Sequence, residues 1–329
     1  MSSSSIPVVF VFNGDADGIL SQHLMAISGI VPDLRVTGLK RQIVLLEHIP
    51  PLETASIHVF DISLDANREA LSKLLDNPRF RISWFDHHEA GQIPTYPNLK
   101  TTIVNAKGTC TALLVHASLP GSDPRWAAIA AFGDNVPEAA EALLKPLNIS
   151  DSEIAELREA GELLNYNAYG ETEADVLFPP LEIAQRLSSF RDPIEFIRNG
   201  GIIPELRAQF QEDEARAKGL APFEQRVGAV VYRLPRKPWA RRLGATLANR
   251  LSLQNPECAV TVLHPLNDGA YQVSIRAPRQ RNQEIPPASG LALEFPTGGG
   301  RVLAAGINHL PEARLSEFIS KFFERYASA

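Results

Sequence analysis

The hydrophobic pattern of the first half alternates short apolar runs with amphipathic segments. Ile6 to Phe12 ("IPVVFVF") is typical of a strand buried on both faces, and a helical pattern follows at "ILSQHLMAIS". Further strands are predicted at "LRVTGLK", "ASIHVFDIS", "RFRISWFD" and "TTIVNA", and helices at "DANREALSKLLDN", "TCTALLVHASL" and "RWAAIAAFGDN". This alternation favours an α/β fold whose mainly parallel sheet has helices on both faces. We expect Asp65 to cap the second helix, and Thr109 or Thr111 to cap the third.

A second, smaller α/β domain is predicted beyond a polar helical region. Short strand patterns resume near Phe223, at "RVGAVVYRL", "CAVTVLHPL" and "YQVSIRA", with turn signals at "NDG" and "TGGG". We therefore expect a first domain over 1–200, a helical linker over 201–222 and a second domain over 223–329.

Composition is that of a globular protein with two domains. The 329 residues are 44% hydrophobic and 21% charged. Cys110 and Cys258 are the only cysteines and form no CxxC motif, so we expect a reducing compartment and a cytoplasmic location. The first apolar run is short and follows no basic residue, which favours neither a signal peptide nor a membrane span.

Charge is distributed unevenly along the chain. Residues 225–329 contain 14 Lys and Arg against 7 Asp and Glu, a net charge of +7. Residues 1–224 then hold 32 − 14 = 18 basic and 38 − 7 = 31 acidic residues, a net charge of −13. This asymmetry fits metal binding by the first half and anion binding by the second, although two solvated surfaces could differ in this way by chance.

Acidic and imidazole side chains cluster where strands of the first domain end. The clusters are Asp15 with Asp17, Asp61, Asp86 with His87 and His88, and Asp134. Parallel sheets bind ligands at the carboxyl ends of their strands, and carboxylates with imidazoles suit Mn²⁺ or Mg²⁺. Taken singly, each cluster is explained as well by a turn or a helix cap. Their order within one domain favours a metal site with room for two ions.

These motifs resemble those of the DHH phosphoesterase family. The matching segments are "NGDADG" (13–18), "FDIS" (60–63), "FDHH" (85–88) and "FGDN" (132–135). The second domain resembles the DHH-associated domain through "VSIR" (273–276) and "GGGRVLAAG" (298–306), so the resemblance covers nearly the whole chain. The first and last of the four motifs lean towards the single-strand exonuclease branch.

The resemblance implies a role for each motif residue. Asp15 and Asp17 would each serve one metal ion, Asp61 would bridge both ions, and His87 and Asp134 would complete the second site. The implied cofactor is a pair of Mn²⁺ or Mg²⁺ ions. For the catalytic residues, the resemblance implies that Asp86 orients a histidine by hydrogen bond and that His88 faces the substrate phosphate as a donor or a proton carrier.

One position departs from the family pattern. Many members have a histidine four residues before the first aspartate, where this chain has Val11. Asn13 stands where the exonuclease branch tends to have an acidic residue, and its amide oxygen is a possible metal ligand. The first metal site is therefore expected to be weakened, through lower affinity, a preference for one ion or a single-ion state. His23, on the next helix, is expected to be a packed or solvated residue and no substitute ligand.

Candidate substrate-binding residues lie in the second domain. The successive glycines Gly298, Gly299 and Gly300 could form an anion-binding nest that opens a helix at "VLAAG", or a flexible turn. Arg301 replaces the histidine that relatives usually have there, and keeps affinity for phosphate. Arg276 would hold a second phosphate oxygen. The basic run "RLPRKPWARR" is interpreted as a mostly exposed loop or as a nucleic-acid contact.

The function predicted from the sequence is hydrolysis of phosphoester bonds by a metal-activated water. The expected substrates are short oligonucleotides, dinucleotides or nucleotide bisphosphates, since no further nucleic-acid domain is evident. One alternative is an exonuclease acting on longer single strands, which the acidic first domain disfavours. Another is a catalytically weak nucleotide-binding protein. No membrane partner is expected, and a homodimer is possible.

Overall fold

The computed structural model describes residues 6–280 and 285–327, which form two compact units. The first unit spans residues 1–209 and the second spans 210–329. No helix in the described ranges is both long and apolar enough to cross a membrane.

The first unit contains a five-stranded sheet surrounded by helices. Its strands are β1 Val8–Asn13, β2 Leu34–Gly38, β3 Ala55–Phe60, β4 Phe80–Asp86 and β5 Leu99–Ile103. Its helices are α1 Ala16–Ile27, α2 Arg68–Leu75, α3 Thr111–Ser118, α4 Pro124–Gly133, α5 Pro137–Leu144, α6 Asp151–Ala168, α7 Pro180–Leu187, α8 Pro193–Asn199 and the start of α9 Ile202–Lys218. The region predicted as a helical linker therefore contains α9.

All five strands are parallel, in the order β2-β1-β3-β4-β5. The central strand β1 is buried along almost its whole length, as expected when helices cover both faces. Val11 pairs with Val36 of β2 and Val59 of β3, which fixes the register at the centre of the sheet. The predicted α/β class with a mainly parallel sheet is confirmed. Because the strands run in one direction, β1, β3 and β4 end side by side at a single edge.

The second unit is built on a mixed sheet. Its strands are β6 Glu224–Arg226, β7 Ala229–Arg233, β8 Ala259–Pro265, β9 Tyr271–Arg276, β10 Gly298–Gly300 and β11 Ala304–Leu310, in the order β10-β11-β9-β8-β7-β6. Its helices are the end of α9, α10 Pro238–Gln254, α11 Ala288–Ala292 and α12 Leu315–Tyr326. Only the pairing of β7 with β8 is parallel within the described part of this sheet. Phe318, Phe322 and Phe323 of α12 are fully buried in the core of this unit.

The glycine-rich segment forms a strand, so the prediction that it opens a helix was wrong. Gly298–Gly300 pairs antiparallel with β11, and "VLAAG" leads into that strand. Glycine is required at position 298 because a Cβ there would lie 1.8 Å from the carbonyl oxygen of Ala292. Gly300 has a φ of 144°, which other residues rarely adopt. Small residues have weak conformational preferences, so backbone packing decides the structure of this segment.

The predicted helix caps were also wrong. Asp65 lies within a short 3₁₀ turn, and α2 begins after Asn67, which makes no side-chain cap. The N-cap of α3 is Cys110, and its side chain does not cap the helix either. The free N–H groups at the start of α3 are instead satisfied by an aspartate from another helix, described below.

Candidate metal centre

The candidate metal centre lies where β1, β3 and β4 end together. Asp15 follows β1 and is the N-cap of α1, while Asp61 follows β3 directly. Asp86 ends β4, and Asp134 is the C-cap of α4. Each carboxylate therefore comes from the end of a regular element, which fixes its backbone.

Three carboxylates surround the ring of His87. Its Nε2 atom lies 3.5 Å from Asp61 Oδ1, 3.6 Å from Asp134 Oδ2 and 3.9 Å from Asp17 Oδ2. Ligands bind divalent ions at about 2.0–2.3 Å, so neighbouring ligands of one ion are about 3–4 Å apart. Each of the three distances is compatible with His87 and that carboxylate binding the same divalent ion.

The potential ligands form two overlapping groups in the described part of the chain. One contains Asp17, His87 and Asp134, and the other contains Asp61, His87 and His88. In each group the ligand atoms all lie within 4.8 Å of one another. His87 is common to both, so the structure brings this predicted ligand to the middle of the centre.

The N-terminus of α3 orients two of the carboxylates. The Asp17 carboxylate accepts hydrogen bonds from the main-chain N–H groups of Thr111, at 2.7 Å, and Ala112, at 2.8 Å. The Thr111 hydroxyl donates to Asp61 Oδ1 at 3.1 Å. Asp61 has a φ of 58°, a left-handed conformation that is uncommon outside glycine. Asp17 thus caps α3 from outside, and Thr111 contacts the centre through its hydroxyl.

Asp86 is fully buried behind the two histidines. Its Oδ1 accepts the main-chain N–H of His87, at 2.9 Å, and a ring hydrogen bond from His88 Nδ1, at 2.7 Å. The hydrogen bond to Asp86 raises the pKa of His88, against the opposing effect of burial. The other oxygen, Oδ2, is buried without a hydrogen-bond partner. Asp86 therefore orients the ring of His88 and the backbone of His87.

The centre concentrates negative charge that a cation would neutralise. Burial, followed by repulsion from Asp17 and Asp15, raises the pKa of Asp134 to about 7. Burial and the same neighbours raise the pKa of Asp61 well above its ordinary value. Carboxylates packed this closely are stabilised as anions by a bound metal ion. The donor set of carboxylates with imidazole suits Mn²⁺ or Mg²⁺.

Asp15 is neutralised differently, by a lysine that the sequence patterns did not identify. The Lys40 Nζ lies 2.5 Å from Asp15 Oδ2 and 3.0 Å from Asn165 Oδ1. Burial alone would raise the pKa of Asp15, but Lys40 outweighs it and leaves that pKa below its ordinary value. The other Asp15 oxygen accepts the N–H groups of Asp17 and Gly18 at 3.1 Å each. Both oxygens of Asp15 thus have protein donors.

The two positions that depart from the family pattern lie on β1. Val11 is fully buried and packs in the apolar core beside the sheet. Asn13 is buried, and its Nδ2 donates to the main-chain oxygen of Lys40 at 3.2 Å, while its Oδ1 has no hydrogen-bond partner. Asn13 therefore fastens the segment that carries Lys40, and its role as a metal ligand stays a prediction.

The candidate substrate-binding residues belong to the second unit. Arg276, on β9, donates to Asn249 Oδ1 at 2.7 Å and to the main-chain oxygen of Ile275 at 2.9 Å. Arg301 is exposed and follows β10 at the tip of the hairpin with β11. The basic run is mostly exposed up to Lys237, but it is not wholly a loop, because α10 begins at Pro238. Within α10, Arg242 is buried and donates to Asp213 Oδ2 at 2.7 Å.

Three features that shape the centre were not predicted from the sequence: Lys40, the contact of Thr111 with Asp61, and Asn165. Lys40 follows β2, which neighbours β1, so its position at a strand end was the one available signal. Asn165 lies on α6, 150 residues from Asp15 in sequence, and belongs to no motif. Their contacts depend on tertiary packing.

Comparisons with solved structures identify the fold. A manganese-bound exonuclease RecJ superposes with a TM-score of 0.59 and 16% identity, covering 96% of this chain and 89% of that one. The DHH domain of a member of a family of ribosomal proteins gives 0.56 and 14%, with 98% and 88% coverage. The pGpG-specific phosphodiesterase PggH from Vibrio cholerae gives 0.55 and 12%, with 97% and 98% coverage.

No family model and no curated protein sequence matches this chain. At 12–16% identity the similarity to the three structures establishes the fold alone. The resemblance to DHH proteins predicted from the four motifs is thus confirmed for the fold, over 96–98% of the chain.

Proposed function

We propose that this protein is a metal-dependent phosphoesterase of the DHH type that hydrolyses short nucleotide substrates. The observation that carries the proposal is the position of His87, whose Nε2 lies within 3.9 Å of carboxylate oxygens of Asp17, Asp61 and Asp134. The fold shared with RecJ and PggH, which their names describe as an exonuclease and a phosphodiesterase, supports the same class of activity.

These four side chains would hold Mn²⁺ or Mg²⁺. A divalent ion bound there would act as a Lewis acid on a phosphoryl oxygen and activate a water molecule for attack. Thr111, through its contacts with Asp17 and Asp61, keeps two of these side chains in position before an ion binds. Such preorganisation limits the rearrangement that binding requires.

His88 is the candidate residue for contact with the scissile phosphate. Its side chain is 45% exposed, whereas that of His87 is 18% exposed. Asp86 binds Nδ1, which leaves Nε2 as the ring nitrogen available to a substrate. The raised pKa of His88 favours its protonated form, which donates a hydrogen bond to a phosphate oxygen or a proton to the leaving oxygen.

Substrate binding by the second unit is part of the proposal. Arg276 and Arg301 would bind a phosphate group, with the glycine segment Gly298, Gly299 and Gly300 allowing its close approach, although the main-chain N–H of Gly298 already donates to Phe295 O at 3.1 Å. The net charge of +7 over residues 225–329 supports an anionic ligand for this region. Arg301 is suited to this role because a guanidinium binds phosphate with two donors.

Short substrates are favoured over long strands because the first unit is acidic. Residues 1–224 have a net charge of −13, which repels a continuous phosphate backbone. The second candidate function, an exonuclease on longer single strands, is supported by the fold match to RecJ and by "NGDADG". A catalytically weak nucleotide-binding protein is the remaining alternative. The cytoplasmic location and a homodimer stay predictions.

The experiment compares substrate classes with one enzyme preparation. Dinucleotides, oligonucleotides of increasing length and nucleotide bisphosphates are incubated with Mn²⁺ or Mg²⁺, and products are resolved by ion-exchange chromatography. We expect Mn²⁺-dependent release of mononucleotides that is fastest with the shortest substrates, and none with His87→Ala. Rates that rise with strand length would favour the exonuclease. Absence of turnover, together with nucleotide binding that survives Asp61→Ala, would favour the binding protein.

A further inference from the structure

The ammonium group of Lys40 has an environment that resembles a cation-binding site. Its Nζ lies 2.5 Å from Asp15 Oδ2, 3.0 Å from Asn165 Oδ1 and 5.4 Å from the centre of the Tyr169 ring. A carboxylate, an amide oxygen and an aromatic face are each groups that stabilise a positive charge. The side chain of Lys40 is 23% exposed, so the charge is held mostly away from bulk water.

Both ends of the lysine are fixed. Asn13 donates to the main-chain oxygen of Lys40 at 3.2 Å, and β2, which ends at Gly38, pairs in register with β1. The backbone of residue 40 is therefore tied to the strand that leads to Asp15. A lysine with an anchored backbone loses less conformational freedom when its ammonium binds, so the contact is stronger than that of an exposed surface pair.

Asp15 contacts the side chain of Asp61, but its neighbours differ from those of the other carboxylates. Asp17, Asp61 and Asp134 each place an oxygen within 3.9 Å of His87 Nε2. In the part of the chain that the structure describes, neither group of potential ligands includes Asp15. The DHH resemblance implies an imidazole at position 11 of β1, where this chain has Val11, which is fully buried in the core. Asp15 therefore faces a lysine on one side and has no imidazole from its own strand.

We propose that the Lys40 ammonium takes the place of one of two metal ions, so that this protein binds a single divalent ion in the two overlapping ligand groups that share His87. The inference rests on the proposed metal-dependent function and specifies its cofactor. Lys40 supplies the positive charge that Asp15 requires and occupies the space beside Oδ2. Because the lysine charge is part of the chain, activity would require only one metal ion to bind.

The test counts bound ions in variants of residue 40. The full-length protein, Lys40→Ala, Lys40→Met and Lys40→Arg are stripped with a chelator, dialysed against Mn²⁺ and assayed for ions per chain by mass spectrometry. Electron paramagnetic resonance distinguishes an isolated Mn²⁺ from a coupled pair. Lys73→Ala is the matched control, because Lys73 also pairs with a carboxylate, Glu69, but on the exposed surface.

We expect one ion with an isolated-ion spectrum for the unmodified chain, Lys40→Arg and Lys73→Ala. In Lys40→Ala a second ion should bind beside Asp15 and give a coupled spectrum. Lys40→Met keeps the length of the side chain without its charge, so it serves if the alanine variant does not fold. Two ions in the unmodified chain, or one ion in every folded variant, would overturn this proposal and leave the proposed function intact. No ion in any variant would overturn both.

Discussion

The Thr111 hydroxyl donates a hydrogen bond to Asp61 Oδ1 at a distance of 3.1 Å. The same residue donates its main-chain N–H to Asp17 Oδ2 at 2.7 Å, so one residue at the start of α3 contacts two candidate ligands from different elements. Thr111 is fully buried. Thr111 therefore joins the start of α3 to the candidate metal centre by hydrogen bonds, although it is not itself a candidate ligand.

Loss of this hydroxyl should weaken metal binding. Thr111→Val keeps the shape of the side chain but leaves Asp61 Oδ1 without its donor, so we expect Mn²⁺ affinity to fall about 10-fold or more. Isothermal titration calorimetry measures the change. Thr111→Ser retains the hydroxyl and is the matched control, for which affinity should stay close to that of the unmodified protein. Equal affinities for the two variants would show that the contact with Asp61 is unimportant.

The sheet and most of the candidate metal centre could be predicted from sequence because they follow from local patterns. Buried apolar runs that end in acidic residues identified β1, β3 and β4, and parallel pairing then required Asp15, Asp61 and Asp86 to share an edge. Residues that directly follow neighbouring parallel strands have little freedom to lie anywhere but at that shared edge. His87 lies among the predicted carboxylates for the same reason.

Contacts that depend on packing between distant elements could not be predicted in this way. Lys40 is one basic residue among 32, and only the folded chain shows that it reaches Asp15. The sequence predicts a cap for α3 from its own threonines, yet the carboxylate that caps it belongs to Asp17, more than 90 residues earlier. Local preferences describe how a helix begins, but they carry no information about a donor or acceptor from another element.

Substitution of one of the two adjacent histidines should mainly reduce metal affinity, and substitution of the other should mainly reduce turnover. His87 lies among three carboxylates, so His87→Ala should reduce Mn²⁺ affinity by more than the roughly 100-fold typical of losing an outer partner of a metal ligand. His88→Ala should leave affinity within about threefold and lower turnover by roughly 10²–10⁴-fold, the range for general acid catalysis. Calorimetry and initial rates at saturating Mn²⁺ measure these effects. Comparable losses of affinity in both variants would contradict the division of roles.

Metal ions should stabilise the fold through the centre. An ion that binds the folded state alone adds about 2.7 kcal/mol at 100 times its dissociation constant. For a unit of about 200 residues this corresponds to an increase of roughly 5–10 °C in Tm. Thermal unfolding with chelator and with Mn²⁺ gives the shift for the unmodified chain, and His87→Ala is expected to show almost none. An equal shift in both proteins would place the stabilising ion elsewhere.

The buried His23 should make the fold sensitive to acid. Its ring is fully buried and lies 4.5 Å from the centroid of the Trp126 ring, and burial lowers its pKa to about 3. In the unfolded chain the ordinary value of about 6.5 applies, so the unfolded state binds more protons between these two pH values. The contribution of the neutral His23 ring to stability is therefore fully present above about pH 6.5 and is lost as the pH falls towards 3.

His23→Leu removes this titration and should flatten the dependence of stability on pH. Relative to the variant, the unmodified protein should lose about 1.4 kcal/mol per pH unit below 6.5, or roughly 2 kcal/mol between pH 7.5 and 5. Urea unfolding in chelator at the two pH values measures the difference and keeps metal binding out of the comparison. His48→Leu is the control, since it makes the same replacement at a side chain that is 59% exposed. An equal change in the free energy of unfolding between the two pH values for His23→Leu and the unmodified protein would contradict the prediction. It would mean that burial does not lower the pKa of His23 in the folded state.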